Sequence, residues 1–302
     1  MNPTPVVGRL APTPSGHLHL GNACAFLAAW LSVRSQDGRL LLRVEDVDTT
    51  RARPDVLEGQ LADLRWLGFA WDEEVAAQSA RDYGPWLEVL RDHTYFCTCS
   101  RKDVADAGGI YPGTCRDGGH DAGKVRYRLR AEAVAVVDRR FDTRIVDPSG
   151  QGDPVLRRAD GVYAYDLAVV ADDIADGVTE VVRGADLLAH TAVQVRLWEA
   201  LGATPPAWMH TPLILGPDGR KLSKSHGSLH LGVLREAGWR PRDVLRTILP
   251  WLGIEGADSL DAAVAAFDPV RGPRGPVLVE THRCPSPREG VSWRLEQSGG
   301  AP

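Results

Sequence analysis

Three of the chain's five cysteines lie within nineteen residues, as Cys97-Thr-Cys99 and Cys115. Thiolates at such spacing are typical ligands of a structural zinc ion, which binds four ligands in a tetrahedron. Three thiols leave one position, which His120 or a water molecule could fill. Spacing alone favours His120, a conventional ligand five residues after Cys115. Three buried thiols without a metal are the alternative.

Two further stretches carry groups that could bind phosphate. Residues 11–22 (APTPSGHLHLGN) lie between a predicted strand and a predicted helix, where backbone N–H groups and the helix dipole favour an anion. His17 and His19 add ring donors. Residues 219–227 (GRKLSKSHG) carry two lysines, Lys221 and Lys224, which could stabilise charge on a transferring phosphoryl group. Taken singly, either stretch could be a solvated loop.

Alternating strands and helices are predicted to position these groups. The predicted strands cover 6–11 and 40–45, and the helices, with apolar residues at helical spacing, cover about 21–34, 55–67, 83–92 and 190–202. The second strand is apolar almost throughout, as expected of a parallel sheet covered on both faces. A β-rich stretch interrupts the alternation after the cysteines. The pattern predicts an α/β fold with a doubly wound parallel sheet.

Composition and charge narrow the class of protein. The N-terminus has no basic segment followed by an apolar run, so no secretory signal is predicted. The longest mostly apolar run has eleven residues, short of the ~20 that a bilayer span needs. We therefore expect a cytoplasmic protein without a membrane partner, whose thiols stay reduced. The net charge of −5 argues against a generally basic nucleic-acid-binding protein, although residues 124–130 and 138–144 carry local arginines.

The motifs, taken in order, resemble those of the class I aminoacyl-tRNA synthetases. Residues 11–22 and the KLSKS stretch at 221–225 resemble the HIGH and KMSKS signatures of that class. LLLRVEDVDTTR at 40–51, together with RLAPTPSG at 9–16, narrows the resemblance to the glutamyl branch. With YAYDLAVVADD and VTEVVRGADLL further along, the likeness covers most of residues 6–227.

Two features within this branch resemble one paralogous family. Cys-x-Cys followed by YPGTC is similar to the glutamyl-queuosine tRNA(Asp) synthetases, a truncated relative of the glutamyl-tRNA synthetases. Only 77 residues follow Ser225, whereas glutamyl-tRNA synthetases continue into a helical anticodon-binding domain. The resemblance implies a class I Rossmann-like fold with a zinc-bearing insertion, a short helical C-terminal stem and no anticodon-binding domain.

The resemblance also implies domain boundaries. Residues 1–94 and 161–230 would form the two halves of the catalytic domain, 95–160 the zinc-bearing, acceptor-binding-like insertion, 231–266 the helical stem and 267–302 a disordered tail. The tail is rich in proline, glycine and arginine, which suits disorder.

Site residues follow from the resemblance, position by position. The glutamate-binding residues would be Arg9, Leu10, Ala11, Pro12, Thr13, Glu45, Tyr165 and Arg183. The ATP-binding residues would be His19, Gly21, Asn22 and Lys224. The catalytic residues would be His19, Lys221 and Lys224. The zinc ligands would be Cys97, Cys99, Tyr111 and Cys115, so that the tyrosine replaces His120 as the fourth.

Three positions depart from the family's signatures. Asn22 stands where the second histidine of HIGH would be, and it keeps an amide donor. Leu222 replaces the methionine of KMSKS at similar volume, and Thr13 keeps the hydroxyl of a frequent serine. None of the three predicts an inactive site.

The activity implied is the activation of L-glutamate with ATP and Mg²⁺, without tRNA, followed by transfer of glutamate to queuosine at the wobble position of tRNA(Asp). One structural zinc ion and a monomeric chain are expected. Two alternatives remain at this stage: a minimal glutamyl-tRNA synthetase that charges the tRNA 3′ end, and an inactive regulator that binds glutamate or ATP.

Overall fold

The computed structural model describes residues 5–222, 230–280, 286–287 and 289–296. The helices are α1 (Leu20–Arg34), α2 (Pro54–Trp66), α3 (Gly84–Val89), α4 (Arg101–Asp106), α5 (Tyr165–Ala175), α6 (Leu188–Ala200), α7 (Leu231–Glu236), α8 (Pro241–Ile248) and α9 (Leu260–Ala266). Within these ranges, no helix combines the length and the apolar character that crossing a membrane requires.

In the part of the chain that the structure describes, the strands form four hydrogen-bonded sheets. They are β1 (Val7–Leu10), β2 (Arg39–Leu42), β3 (Glu73–Glu74), β4 (Thr94–Cys97), β5 (Lys124–Tyr127), β6 (Val134–Asp138), β7 (Asp142–Val146), β8 (Val155–Arg157), β9 (Glu180–Gly184), β10 (Ala207–Thr211), β11 (Ile214–Leu215), β12 (Val277–Val279) and β13 (Trp293–Leu295).

Two sheets, of strand order β3-β2-β1 and β9-β10-β6-β7, form a central layer in which β1 lies next to β9. β1, β2 and β3 pair in parallel, β9, β10 and β6 do the same, and β7 adds an antiparallel strand at the far side. The two parallel groups meet where the Thr179 N–H donates to the Val7 carbonyl at 2.9 Å. The expected α/β fold with a parallel, helix-covered sheet is confirmed.

Both faces of this layer are covered, which explains the unbroken apolar run of β2. Leu40 and Leu42 lie in the same apolar cluster as Leu27 of α1, whereas Leu41 packs on the opposite face with Val195 of α6. Successive strand residues point to opposite faces, so a strand buried on both sides is apolar at every position.

The strands' carboxyl ends collect the polar residues at one edge of the layer. The loop of residues 11–19 follows β1, Glu45 follows β2, and Arg183 lies on β9. In open parallel sheets, ligands bind at this edge. The loop ends where α1 begins, with its first backbone N–H groups directed back toward the same edge.

An antiparallel sheet of β4, β5 and β8 interrupts the alternation between α3 and α5. Tyr127 and Leu156 of this sheet are buried, as is Leu129 just after β5, and they share an apolar cluster with Leu167 of α5 and Leu197 of α6. The insertion therefore packs firmly against the catalytic layer's helices.

The C-terminal part corrects one expectation. Residues 267–302 are predicted above to be disordered, but β12 pairs in parallel with β11 and antiparallel with β13. Val277 and Val279 are fully buried in the cluster that also contains α1 and α8. The frequent prolines and glycines suggested disorder, but they flank a short apolar strand, VLV. Burial of its side chains stabilises this strand despite the composition of the surrounding sequence.

Candidate active site

A cavity of about 340 Å³ opens at the carboxyl edge of the layer. The predicted site residues that line it are Arg9, Ala11, Thr13, His19, Gly21, Asn22, Glu45, Tyr165, Arg183 and Lys221. Two predicted residues, Leu10 and Pro12, are buried in the strand and loop behind its wall. Lys224 lies outside the described residues. The structure thus brings two distant loops and three strand ends to one place.

Arg9 enters the cavity from β1 and is almost completely buried. Its Nε donates to Asp173 Oδ1 at 3.2 Å and its Nη1 donates to the Val182 carbonyl at 3.4 Å. Among the described residues, its other N–H donors have no partner. Arg9 is therefore held from behind by Asp173, while part of its planar guanidinium can bind a carboxylate.

Arg43 is fully buried behind the cavity wall and donates hydrogen bonds to the carboxylates of Asp173 and Glu45. Its Nη2 donates to Asp173 at 2.7 Å and to Glu45 at 3.4 Å. Burial raises the pKa of Glu45, an effect that Arg43 and Arg9 oppose. Burial also acts to raise the pKa of Asp173, but Arg9 and Arg43 together hold it below its usual range. Glu45 lines the cavity with its carboxyl group held by Arg43, where an ammonium group can pair with it.

Arg183, on β9, uses all five of its N–H donors within the protein. Nε donates to His210 Nε2 at 3.3 Å, and the terminal nitrogens donate to Tyr165 Oη (3.2 Å), Gln194 Oε1 (2.7 Å), Thr191 Oγ1 (2.9 Å) and the Leu187 carbonyl (3.3 Å). Its guanidinium also lies 4.7 Å from the centre of the Trp208 ring. Arg183 is a fixed cation in the wall of the cavity.

His19 is the N-cap of α1, and this role fixes its ring. Nδ1 accepts from the backbone N–H groups of Gly21 (3.1 Å) and Asn22 (3.3 Å), so the proton of the neutral ring is on Nε2. The Asn22 side chain accepts in return from the His19 N–H at 3.1 Å, which completes a capping box. The residue that replaces the second signature histidine therefore holds the first one in place.

Lys221 completes the described wall on the side of α1. Its ammonium pairs with the Asp186 carboxylate, which lines the same cavity. The lysine is about half exposed, so it can exchange this partner for an anion in the cavity.

A second cavity, of about 350 Å³, adjoins the first and shares Thr13, Glu45 and Tyr165 with it. Asp48 and Arg158 also line it. Arg158 Nη1 donates to Asp48 Oδ2 at 2.8 Å, and the other terminal nitrogen pairs with Asp160. The second cavity therefore meets the amino-acid end of the first, at Glu45 and Tyr165.

The three predicted thiols form a cluster in the insertion. Cys97, Cys99 and Cys115 have their sulfur atoms within 4.8 Å of one another, and Cys99 Sγ lies 3.5 Å from Cys115 Sγ. Tyr111 packs in the same cluster, and its hydroxyl accepts from the Cys115 N–H at 2.7 Å. His120 is exposed and lies outside the group.

The cluster's surroundings make one thiol acidic. Burial acts to raise the pKa of Cys115, but hydrogen bonds from the Thr98 backbone, Cys99 and Tyr111 bring it down to about 6. Burial raises the pKa of Cys99 to about 11 and that of Tyr111 to about 12. These donors, three sulfurs and a phenol, suit a divalent cation of zinc type.

Three residues that contact the predicted site residues were not predicted: Arg43, Asp173 and His210. Arg43 and Asp173 lie inside stretches that resemble the glutamyl branch, and a charge within an apolar strand or helix is a usable signal. His210 contacts Arg183 from a neighbouring strand that is distant in sequence, and no local pattern marks it.

Comparisons with known proteins agree with this fold. The family model described as tRNA synthetases class I (E and Q), catalytic domain, matches residues 5–106 and 118–261. A solved glutamate tRNA ligase of Elizabethkingia meningosepticum, in complex with its amino acid, superposes with a TM-score of 0.79 at 26% identity, over 91% of this chain and 67% of that one. The chain thus has the class I tRNA synthetase catalytic fold, that of an ATP-dependent ligase.

Curated relatives narrow the family. The glutamyl-Q tRNA(Asp) synthetase of Nitratidesulfovibrio vulgaris is 44% identical over 270 residues, 76% of this chain and 81% of that protein. That of Nocardia farcinica is 42% identical over 300 residues, 93% of this chain and 96% of that protein. The chain belongs to the glutamyl-Q tRNA(Asp) synthetase family.

Proposed function

We propose that the chain activates L-glutamate with ATP to form glutamyl-adenylate without tRNA, and then transfers glutamate to queuosine at the wobble position of tRNA(Asp). The observation that carries this proposal is the single cavity in which Arg9 and Glu45 face His19 and Lys221. One end has the charges that an acidic amino acid needs, and the other has donors for phosphate. The names of the curated relatives support the choice of substrates.

The amino-acid end fits glutamate by charge. The side-chain carboxylate binds the exposed part of the Arg9 guanidinium, while the ammonium group pairs with Glu45. The Tyr165 hydroxyl donates a further hydrogen bond. Such a site disfavours glutamine, because a neutral amide leaves the buried Arg9 without its anionic partner.

At the other end, a glutamate α-carboxylate oxygen attacks the α-phosphorus of ATP, and pyrophosphate leaves with the electrons of the broken P–O bond. The His19 Nε2–H, the Lys221 ammonium and Lys224 of the KLSKS loop stabilise the charge that develops on the phosphoryl oxygens. Bound magnesium would neutralise the pyrophosphate.

Transfer needs a route for a nucleoside to the adenylate's carbonyl. The second cavity meets the first at Glu45 and Tyr165, the amino-acid end. We propose that queuosine enters there. A hydroxyl of its cyclopentene diol attacks the carbonyl carbon of the adenylate, AMP leaves, and an ester and a proton are formed. The adenylate is already activated, so this step depends mainly on positioning.

The test is incubation of the protein with labelled glutamate, ATP and separate tRNA pools. Glutamate is expected to be incorporated into queuosine-containing tRNA(Asp), but not into the same tRNA that carries guanosine. Label on the 3′ end of tRNA(Glu) would instead identify a minimal glutamyl-tRNA synthetase. The absence of glutamate-dependent ATP–pyrophosphate exchange would identify a silent binding protein.

We also propose that Cys97, Cys99, Tyr111 and Cys115 hold one structural zinc ion. Zinc–sulfur bonds of ~2.3 Å in a tetrahedron separate sulfurs by about 3.8 Å, close to the 3.5 Å between Cys99 and Cys115. The ion would stabilise the folded insertion of residues 95–160, where it joins strand β4 to the loop that carries Tyr111.

Metal analysis is expected to find about one zinc per chain. Cys97→Ser should lose it, because one of the thiolates is removed. Tyr111→Phe should weaken zinc retention against a chelator, whereas His120→Ala, the matched control in the same loop, should retain it fully. Unchanged retention in Tyr111→Phe would contradict the tyrosine as ligand.

The second cavity supplies a separate prediction for the transfer step. Asp48→Ala removes a carboxylate that Thr50 and Arg158 orient at this cavity. Transfer to queuosine tRNA should fall roughly tenfold or more, since an acceptor for the nucleoside is lost, while ATP–pyrophosphate exchange stays near wild type. Asp160→Ala removes the other partner of Arg158, outside the cavity, and is the control. Equal effects of both variants would refute a nucleoside contact at Asp48.

A further inference from the structure

Three adjacent strands place Asp138, His210 and Arg183 side by side. Asp138 ends β6, His210 lies on β10 and Arg183 lies on β9, where His210 and Arg183 are register partners. All three are more than nine-tenths buried. Asp138 and His210 do not line the cavity of Arg9 and Glu45, and the activity proposed above uses neither of them.

The hydrogen bonds of His210 define its protonation. His210 Nδ1 lies 2.6 Å from Asp138 Oδ2, and a carboxylate only accepts, so the proton is on Nδ1. His210 Nε2 accepts from Arg183 Nε at 3.3 Å, because a guanidinium only donates, and it also lies 3.1 Å from Thr191 Oγ1. Burial, reinforced by the Arg183 charge and opposed by Asp138, lowers the pKa of His210. The ring is a neutral histidine in a single tautomer.

Asp138 is itself fixed by the backbone. Its Oδ1 accepts from the N–H groups of Arg140 and Phe141, each at 2.8 Å, and its Oδ2 also accepts from the His210 N–H at 3.1 Å. These bonds hold the carboxylate in one orientation, so it cannot turn to accommodate another tautomer of the ring.

Tyr165 connects these three residues to the cavity, because it lines the cavity and accepts a hydrogen bond from Arg183. Arg183 has no N–H donor left for a ligand, since its five donors are used within the protein. One of them donates to Tyr165 Oη at 3.2 Å, so the tyrosine's own proton is directed elsewhere. Tyr165 lines the cavity beside Arg9 and Glu45. The Tyr165 hydroxyl is thereby left to donate its proton to a group in the cavity.

We propose that Asp138 and His210 are positioning residues of the glutamate subsite, which hold Arg183 so that the Tyr165 hydroxyl donates to the substrate. The inference rests on the proposed activation of glutamate. Its consequence is that glutamate recognition depends on Asp138, a side chain two strands away from β9 that does not contact the amino acid.

Two substitutions of His210 separate this role from a merely structural one. The Asn amide reaches the place of Nδ1 and the Gln amide reaches that of Nε2. His210→Gln therefore keeps an acceptor for Arg183 and loses the Asp138 contact, whereas His210→Asn does the reverse. The KM for glutamate in ATP–pyrophosphate exchange should rise roughly tenfold or more in His210→Asn and clearly less in His210→Gln. If His210 served only in packing, the two substitutions should raise the KM for glutamate to a similar extent.

Asp138→Asn tests the tautomer. An amide N–H₂ facing His210 moves the ring proton to Nε2, opposite an Arg183 donor, so the KM for glutamate should rise roughly 10- to 100-fold. With N–H₂ facing His210, the His210 backbone N–H also loses its acceptor; with the oxygen facing His210, the two turn N–H groups lose theirs, so the melting temperature should fall in either orientation. ¹⁵N chemical shifts of the His210 ring report which nitrogen carries the proton.

The KM for ATP and the melting temperature are measured in parallel. The inference requires a rise in the KM for glutamate with the KM for ATP within about twofold of wild type, and His210→Asn more impaired than His210→Gln. Equal impairment, the reverse order, or equal changes in both KM values would overturn it. A wild-type protein without glutamate-dependent exchange would overturn the proposed function instead, so the two failures are distinguishable.

Discussion

Arg9→Gln is expected to lower kcat/KM for glutamate activation by on the order of 10²–10³-fold, the range for losing one partner of a buried, hydrogen-bonded charge pair. The glutamine amide can donate at most two hydrogen bonds and carries no charge, so the substrate's side-chain carboxylate is left without its cation. Asp173 also loses one of its two arginine partners. Most of the change should appear in the KM for glutamate, with the KM for ATP nearly unaltered.

Arg39→Gln is the matched control for this variant. Arg39 begins the neighbouring strand β2 and forms an exposed pair with Glu73 at 3.3 Å, a contact that adds little to stability. Arg9→Lys refines the test, because it keeps the charge beside Asp173 and removes the planar fork. If Arg9→Gln activated glutamate normally, the assignment of the amino-acid end would be wrong.

His19→Asn is expected to reduce the rate of adenylate formation by on the order of 10²–10³-fold, the typical effect of removing one preorganised donor to transition-state charge. Asparagine is itself a favoured N-cap, so α1 should keep its start and the melting temperature should change little. The loss should appear in single-turnover rates, because the ring's Nε2–H acts on charge that develops during the reaction.

His230→Asn provides an equivalent change at a second histidine cap. His230 caps α7, where its Nδ1 accepts from the Val233 N–H at 3.2 Å, and it does not line the cavity. Adenylate formation should remain near wild type in this variant. A similar loss in both variants would mean that capping, and not phosphate stabilisation, accounts for the effect at His19.

The sequence was sufficient to predict the elements that carry the cavity. The helix predicted over 21–34 is observed as Leu20–Arg34, and the apolar run of β2 indicated a strand buried on both faces. Those predictions depend on local periodicity, which a single sequence displays. The motif residues Arg9, His19, Glu45 and Lys221 were grouped by the resemblance to the class I synthetases, and the structure brings all four to one cavity at the edge of the layer.

What holds those residues could not be predicted from the sequence. The partners of Arg9 and Arg183 are set by which strands lie side by side. No local pattern in the sequence shows that β1 lies next to β9, or that β10 lies between β9 and β6. The same limit applies to the cysteine cluster. Spacing favoured His120, but the chain folds Tyr111 against Cys115 and leaves the histidine exposed.

The strand β12 has a practical consequence for anyone who shortens this protein. It supplies the hydrogen-bonded neighbour of β11, and β11 leads directly into the stretch that carries Lys221. Cutting the chain near residue 267, as its composition invites, would strip β11 of that neighbour and uncover the apolar side chains beneath. Trimmed versions made for crystallisation or assay should therefore end beyond β13, or the loss of activity they display will be an artefact of the cut.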